Sequence, residues 1–316
     1  MIELLTEEKI KSCDYLRIRC EFYDLWNKLF LNKNQLDNIL KTRFVRSWFA
    51  GKLILLLRKS GGYWFFRRLT PQLQKRISPS VPRFEGIPLT SEVTYQLLRS
   101  NQLWMSRSWE YPWAILNSDV SSNERILDIG SGWSLFPLYL AQRNNHVDSI
   151  DVSEKQMRVI SPALAAILKL NVNYSVGTAA SLSAEDNTYD YVFCISVLEH
   201  LEEEVENGMP VNRHTNRLDR KVIREFLRVI KPGGKVVLTL DYASEDISQR
   251  SFHFDYVKDL IDEFRANLLQ PFDKFDEIRF TKEKENEMKK LWSEFFPYDP
   301  GRPPCGVLGI ILTKPS

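Results

Sequence analysis

The stretch from Glu124 to Met157 constrains the fold of this chain most strongly, because it reads as strand, glycine turn, helix, strand and acid. Strand-like residues 125–129 break at Gly130-Ser131-Gly132, and a helix-like segment then leads to a second strand that ends in Asp151. In such units a crossover helix joins two parallel strands, and ligands bind at the carboxyl ends of the strands. The stretch therefore predicts a nucleotide-type binding site at one edge of a parallel sheet.

The spacing of the glycines and acids indicates which kind of nucleotide this is. A dinucleotide fingerprint requires a third glycine where this chain has Leu135, and the G-K-[ST] sequence of a phosphate-binding loop is absent. Asp151 follows Gly130 by 21 residues, near the spacing at which a carboxylate reaches a ribose diol. Together with Asp128, the pattern favours a nucleoside ligand without phosphates.

From Glu124 onward, strand-like and helix-like segments alternate, as in a doubly wound, mostly parallel α/β sheet with helices on both faces. The predicted strands are Arg125–Ile129, Val147–Asp151, Val172–Val176, Tyr191–Ile195, Lys235–Leu240, Glu277–Phe280 and Gly306–Thr313. The predicted helices include Ser134–Gln142, Glu154–Leu170 and Arg220–Val229. The sequence KPGG at 231–234 is expected to stop a helix and turn the chain into the next strand, and the final strand could pair antiparallel beside its neighbour.

The N-terminal region differs from the rest of the chain. Residues 1 to about 78 read as helices, and a proline-rich break follows at 78–88. No acidic residue occurs between Asp37 and Glu85, and the lysines and arginines of segment 41–83 are interleaved with aromatic residues. Such a segment can contact a membrane surface, a nucleic acid, a peptide or an anionic substrate. The other interpretation is an amphipathic helical pair with its arginines in water.

Composition limits the remaining possibilities. The net charge of +2 gives no overall signature of nucleic-acid binding, and four scattered cysteines form no C-x-x-C pair. This argues against a zinc site and a disulfide framework, and it fits a reducing cytosol. The start of the chain lacks the features of a secretory signal, and the longest apolar stretch, 48–57, is too short for a membrane span. We therefore expect a cytoplasmic protein without a bound metal.

Four motifs together resemble a known family. The sequences ILDIGSG, IDVSEKQM, EDNTYDYVFCISVLEHL and LRVIKPGGKVVLTL are similar to successive motifs of class I S-adenosylmethionine-dependent methyltransferases, closest to the small-molecule branch of ubiquinone and menaquinone biosynthesis. The resemblance runs from about Arg107 to the C-terminus. It implies a Rossmann-like, seven-stranded, mostly parallel sheet in residues 116–316, with S-adenosyl-L-methionine as cofactor. Residues 1–115 would form an N-terminal helical cap over the carboxyl edge of the sheet.

The resemblance also implies the residues that bind the cofactor. The glycine turn would approach the methionine part, Asp151 would bind the ribose hydroxyls, and Val152 would lie against the adenine. Arg107 could pair with the methionine carboxylate, or it could be a surface residue. Two departures from the family pattern are Ser134, where a third glycine is usual, and Thr178, where an acid is common. The implied set is Arg107, Asp128, Gly130, Ser131, Gly132, Asp151, Val152, Thr178, Ala179, Ala180, Ile195 and Ser196.

Methyl transfer to a hydroxyl or ammonium requires a base near the acceptor. His200 follows the fourth predicted strand and Asp241 follows the fifth, so both are expected at the carboxyl edge. We expect His200 to be the general base and Asp241 its partner, because a carboxylate fixes the tautomer of an imidazole and raises its basicity. The alternative is a histidine with a structural role only.

The acceptor is expected to contact residues outside the cofactor motifs. Trp109 and Tyr111 precede the first strand, His253 begins a helix-like segment, and His214 lies in an apparent insertion, 201–219. Packing residues and a solvated loop are the alternatives. We expect methylation of a small molecule, more at oxygen than at nitrogen or carbon. The alternative is a peptide, lipid-linked or other macromolecular acceptor bound by segment 41–83; no N-P-P-[YF] motif of nucleic-acid amino methylation follows the fourth strand.

Overall fold

The fold was analysed in a computed structural model. It describes residues 1–4, 6–32, 35, 83–84, 87–88, 105–132, 134–154, 156–201, 205–206, 209–210, 217–242, 252–265, 281, 283–284, 286–287, 290 and 306–316. Within these ranges the strands are β1 (Ile2–Leu4), β2 (Arg83–Phe84), β3 (Ile87–Pro88), β4 (Arg125–Ile129), β5 (His146–Asp151), β6 (Val172–Val176), β7 (Tyr189–Ile195), β8 (Val205–Glu206), β9 (Met209–Pro210), β10 (Ile230–Tyr242) and β11 (Gly306–Thr313).

The centre of the molecule is a mostly parallel, seven-stranded sheet in the order β1-β11-β10-β7-β4-β5-β6. Strands β10, β7, β4, β5 and β6 are parallel, and β11 pairs antiparallel with β10. This confirms the doubly wound α/β fold and the antiparallel final strand. The predicted strand Glu277–Phe280 lies outside the described residues.

Two local predictions were correct only in part. The helix does end before residues 231–234, at Val229, but these residues do not form a separate turn; they belong to β10, where the register with β7 shifts between Ile230 and Lys235. This bulge is held at its outer side by the C-terminal segment, because Gly233 N donates to Lys314 O (2.9 Å) and Lys314 N donates to Gly234 O (2.9 Å). The predicted helix Glu154–Leu170 is interrupted, since Gln156–Ile160 form a π-helical turn before the α-helix.

The sequence had predicted helices from residue 1 onward, but the chain begins with a strand. Ile2–Leu4 form β1, which pairs antiparallel with β11 and thereby becomes the edge of the sheet. Ile311 N donates to Met1 O (2.8 Å). The reason is that the outer edge of β11 presents backbone donors and acceptors that need partners. The helices α1 (Glu7–Lys11) and α2 (Cys13–Leu31) follow. The division into 1–115 and 116–316 stays a prediction.

The remaining helices cover both faces of the sheet. They are α3 (Met105–Ser118), α4 (Phe136–Gln142), α5 (Ser161–Leu168), α6 (Arg217–Val229) and α7 (Phe254–Arg265). Side chains alternate along β7, so that Phe193 joins a core with α2 to α5 and Cys194 joins a core with α6 and α7. In the described part of the chain, no helix combines the length and apolar character needed to cross a bilayer.

Helix α2 is an integral part of the first core. Its side chains at helical spacing, Tyr15, Ile18, Phe22, Leu25 and Leu29, are buried. The ring of Phe22 stacks on Tyr139 of α4, with ring centroids 4.3 Å apart, and on Tyr111 of α3, with centroids 5.0 Å apart. Helix α2 therefore packs against the two helices that flank the glycine turn.

Candidate active site

The residues that follow β4, β5, β6 and β7 lie at the carboxyl edge of the sheet, as does the end of β10, and the glycine turn after β4 lies among them. Gly130 has φ +67°, and its N donates to Ile150 O (2.7 Å). A Cβ at this position would lie 2.4 Å from Val197 Cγ2. Both the backbone conformation and the close approach of Val197 require glycine here.

Gly132 has a different environment. Its φ is +44°, and the nearest heavy atom to an added Cβ would be Gly130 O at 3.9 Å, so the space above it is open. Its N donates to Asp151 Oδ2 (2.9 Å), and the neighbouring Ser131 is buried. Gly132 thus provides an open cradle in which a ligand can approach the backbone closely.

Asp151 and Val152 lie beside Gly132, at the end of β5. Asp151 Oδ1 accepts a hydrogen bond from Ser153 N (2.8 Å), so two backbone N–H groups hold the carboxylate in place. The side chain of Val152 is 74% exposed. An oriented acceptor beside an uncovered apolar surface suits a ribose diol and an adenine ring.

The predicted adenine segment adjoins Asp151. Gly177 N donates to Asp151 O (3.1 Å), and Ala180 N donates to Thr178 Oγ1 (3.3 Å). Ala179 and Ala180 are buried while Thr178 is exposed. The structure therefore brings the glycine turn, Asp151, Val152 and residues 178–180 close to one another.

Asp128 lies beneath the glycine turn. Its carboxyl group is buried, and Ser149 Oγ donates to its Oδ2 (3.5 Å). Burial, and then the charge of Asp151, raise the pKa of Asp128 to about 8. Asp128 is thus a protonated acid near neutral pH, which lowers the electrostatic cost of placing it close to Asp151.

Replacing Asp128 with asparagine is expected to flatten the pH dependence of stability. The pKa of Asp128 is about 8 in the native state and has the ordinary value of 3.8 in the unfolded chain. Between these two pH values the native state holds a proton that the unfolded chain has released. The free energy of unfolding of the wild type therefore has a component that falls as pH rises through this interval. Urea unfolding at several pH values measures the slope for both proteins. Equal slopes would contradict the prediction.

Arg107 does not stand alone at the surface. Its side chain is 19% exposed, and Nη1 donates to Glu110 Oε2 one helical turn later. Burial by itself would lower the pKa of Arg107, but the charge of Glu110 raises it above the ordinary value. The guanidinium also lies over the ring of Tyr111, with Cζ 5.9 Å from the centroid. Whether Arg107 binds the methionine carboxylate stays a prediction.

Glu110 is a residue of the site that sequence reasoning missed. It is fully buried, and it also accepts hydrogen bonds from Ser196 Oγ at the end of β7 and from Thr239 Oγ1 of β10 (2.7 Å). Ile195 and Ser196, both predicted to line the site, are buried beside it. The available signal was that Glu110 is the single acid in segment 105–118, where it stands among three aromatic residues, Trp109, Tyr111 and Trp113.

The predicted catalytic residues lie at the same edge. His200 is exposed in a 3₁₀ turn, Leu198–His200, directly after β7. Asp241 is half-buried near the end of β10, where its O accepts a hydrogen bond from Phe252 N (2.8 Å). Sequence reasoning missed Glu199, which precedes His200 in this 3₁₀ turn. It is buried, and burial, together with the charge of Asp241, raises its pKa well above the usual range.

The predicted substrate-binding residues are not all exposed. Trp109 is fully buried, and its ring stacks on Trp113 with centroids 5.3 Å apart. Tyr111 is buried, and its hydroxyl lies 2.8 Å from Ser134 Oγ, next to the glycine turn. His253 is half-buried, and its O accepts a hydrogen bond from Val257 N (2.9 Å) at the start of α7. His214 lies outside the described residues.

A small crevice lies between α2 and α3. It is lined by Arg19, Phe22, Tyr23, Arg107, Tyr111 and Pro112. Of the basic segment 41–83, only Arg83 is described, and the described part of the insertion 201–219 includes β8 and β9. Among the described residues, no group of three or more His, Cys, Asp or Glu side chains is arranged to hold a metal ion.

Comparison with known proteins identifies the part of the chain that carries this site. A family model described as a methyltransferase domain matches residues 127–238, which extend from β4 to β10 and include the glycine turn, Asp151 and Ser196. This region is a class I S-adenosylmethionine-dependent methyltransferase domain. Its cofactor is S-adenosyl-L-methionine, and the open cradle at Gly132, the oriented carboxylate of Asp151 and the uncovered Val152 fit that cofactor.

The relatives of this methyltransferase domain include quinone-biosynthesis enzymes. A ubiquinone biosynthesis O-methyltransferase of Rickettsia conorii is 24% identical over 244 residues, which cover 76% of this chain and 78% of the relative. One from Pseudomonas fluorescens is 30% identical and covers 36% of this chain and 43% of the relative. Phosphoethanolamine N-methyltransferase 2 of Caenorhabditis elegans is 25% identical over 46% of this chain. The matched part covers about a third (32%) of that relative.

Proposed function

We propose that this chain transfers a methyl group from S-adenosyl-L-methionine to an oxygen atom of a small-molecule acceptor, with His200 as the general base. The observation that carries the proposal is that an exposed histidine lies in the 3₁₀ turn after β7, at the edge where Gly132 forms an open cradle. The name of the Rickettsia conorii relative supports oxygen as the methylated atom.

In this proposal different residues of the site bind different parts of the cofactor. Asp151 would accept hydrogen bonds from the ribose hydroxyls, Val152 and residues 178–180 would surround the adenine, and the backbone at Gly132 would allow close approach of the amino-acid part. The bound cofactor supplies a methyl group on a positively charged sulfonium. The carboxylates of Asp151 and Asp241, at the ends of β5 and β10, favour a cationic ligand at this edge.

The acceptor chemistry would rest on His200. Its imidazole would take the proton of the acceptor hydroxyl as the oxygen attacks the methyl carbon, and it would release that proton to solvent after the product leaves. Asp241 would orient the imidazole or bind the acceptor. Positioning of the acceptor about 3 Å from the methyl group supplies the rest of the rate enhancement.

A panel of acceptors tests the proposed function. Methyl transfer from radiolabelled S-adenosylmethionine would be measured with quinols and other phenols, with phosphoethanolamine, and with peptides. Turnover of a hydroxylated small molecule is the expected result. Transfer to phosphoethanolamine alone would replace oxygen by nitrogen as the acceptor atom, and transfer to peptides alone would favour the macromolecular alternative.

Replacing Asp151 with alanine is expected to weaken cofactor binding by about 1–3 kcal/mol, because the ribose hydroxyls lose their acceptor. Isothermal titration with S-adenosylhomocysteine measures the change. Asp148→Ala is the matched control, because Asp148 is on the same strand but lines a pocket near the other edge of the sheet, with Arg125 and His146. Wild-type affinity in Asp151→Ala would rule out the assigned role of Asp151.

A further inference from the structure

The carboxylate of Glu110 connects three elements that are distant in sequence. It accepts hydrogen bonds from Arg107 Nη1 in α3, from Ser196 Oγ after β7 and from Thr239 Oγ1 in β10. Glu110 is 0% exposed. A buried carboxylate is costly unless several donors satisfy it, and here a guanidinium and two hydroxyl groups do so.

These contacts fix the direction of the hydroxyl groups. As a carboxylate, Glu110 can only accept, so Ser196 and Thr239 must each donate their single hydroxyl proton to it. Thr239 Oγ1 also accepts a hydrogen bond from Ser196 N (3.1 Å). Because the hydroxyl proton of Ser196 is already donated to Glu110, Ser196 Oγ can only accept a hydrogen bond from a ligand.

Ser196 adjoins the glycine turn through its neighbour in the chain. It follows β7 directly, and the next residue, Val197, packs against Gly130. Ser196 has φ +48°, a left-handed conformation that residues other than glycine rarely adopt. Its N bonds to both Thr239 O and Thr239 Oγ1, so the surrounding structure holds this conformation in place.

We propose that Glu110 is a positioning residue that makes Ser196 Oγ an obligatory hydrogen-bond acceptor for the α-ammonium group of the cofactor. By committing the hydroxyl proton of Ser196, Glu110 favours a ligand that has a cationic N–H donor at this point. The inference rests on the cofactor of the domain and not on the acceptor atom or on His200, so it can fail independently of the proposed function.

Ligand binding tests this role without any acceptor. Two probes are titrated calorimetrically: S-adenosylhomocysteine, and its analogue that lacks the α-amino group. The affinity for S-adenosylhomocysteine divided by the affinity for the analogue reports the hydrogen bond to the ammonium group. We expect Ser196→Ala to lower this ratio about tenfold, as for the loss of one hydrogen bond to a charged group.

Glu110→Gln is the decisive variant. Its amide can donate to Ser196 Oγ and so release the hydroxyl proton, and we expect the same loss of about tenfold in the ratio. A purely structural role would weaken the two ligands equally and leave the ratio at the wild-type value, which would overturn the proposal. If Glu110→Gln does not fold, Ser196→Ala still decides, because an unchanged ratio there overturns it as well. Ser161→Ala is the control, since it removes a buried serine hydroxyl of α5 that bonds to Gln156, and its ratio should stay near wild type.

Discussion

Replacing His200 with alanine should lower turnover by about 10²–10⁴-fold, the usual contribution of a general base. The imidazole is exposed at the carboxyl edge and is not part of the glycine cradle, so the affinity for S-adenosylhomocysteine should stay near that of the wild type. Turnover with the acceptor found in the panel, measured alongside cofactor titration, separates these two effects.

Two further variants sharpen this experiment. His146→Ala is the matched control, because His146 is also exposed but begins β5 at the opposite edge of the sheet; its turnover should equal that of the wild type. Asp241→Asn should cause a smaller loss than His200→Ala if Asp241 only orients the imidazole. Near-normal turnover of His200→Ala would assign this histidine to structure and leave catalysis to positioning of an acceptor that is already deprotonated.

Replacing Gly130 with alanine should destabilise the protein by about 2–5 kcal/mol. The left-handed backbone at φ +67° costs a non-glycine residue about 1–2 kcal/mol, and the new Cβ would lie 2.4 and 2.8 Å from the two Val197 methyl groups, an overpacking worth about 1–3 kcal/mol. Urea unfolding measures the loss. In the background of Val197→Ala, the same glycine substitution should cost less, because the two methyl groups are gone.

The matched variant is Gly132→Ala, in which the new Cβ enters open space 3.9 Å from Gly130 O. It should lose only the backbone part of the stability, about 1–2 kcal/mol, yet it should weaken S-adenosylhomocysteine binding because the methyl group occupies the cradle. Two results would contradict this view of the glycine turn: equal stability losses at the two glycines, or unchanged cofactor affinity in Gly132→Ala.

Much of the fold could be predicted from local patterns. The strands at 125–129, 172–176 and 306–313 have the predicted bounds, because each is a short run rich in β-branched residues, which favour strands. The glycine turn could be predicted for the same reason, since positive φ values and close backbone approach select glycine directly in the sequence. The interrupted helix after Asp151 and the bulge at 231–234 could not, because neighbouring elements select among the local conformations available to such segments.

The sequence by itself determined the layer architecture, the position of the cofactor site and the class of cofactor, because each depends on residues close together in the chain. Only the tertiary structure decided that Ile2–Leu4 complete the sheet and that Arg107 pairs with Glu110. It alone joined Glu110 to Ser196 and Thr239, which are 86 and 129 residues away. Hydrogen-bond partners of buried acids and of sheet edges are selected by whichever groups packing brings within about 3 Å, and no periodicity in the sequence records that choice.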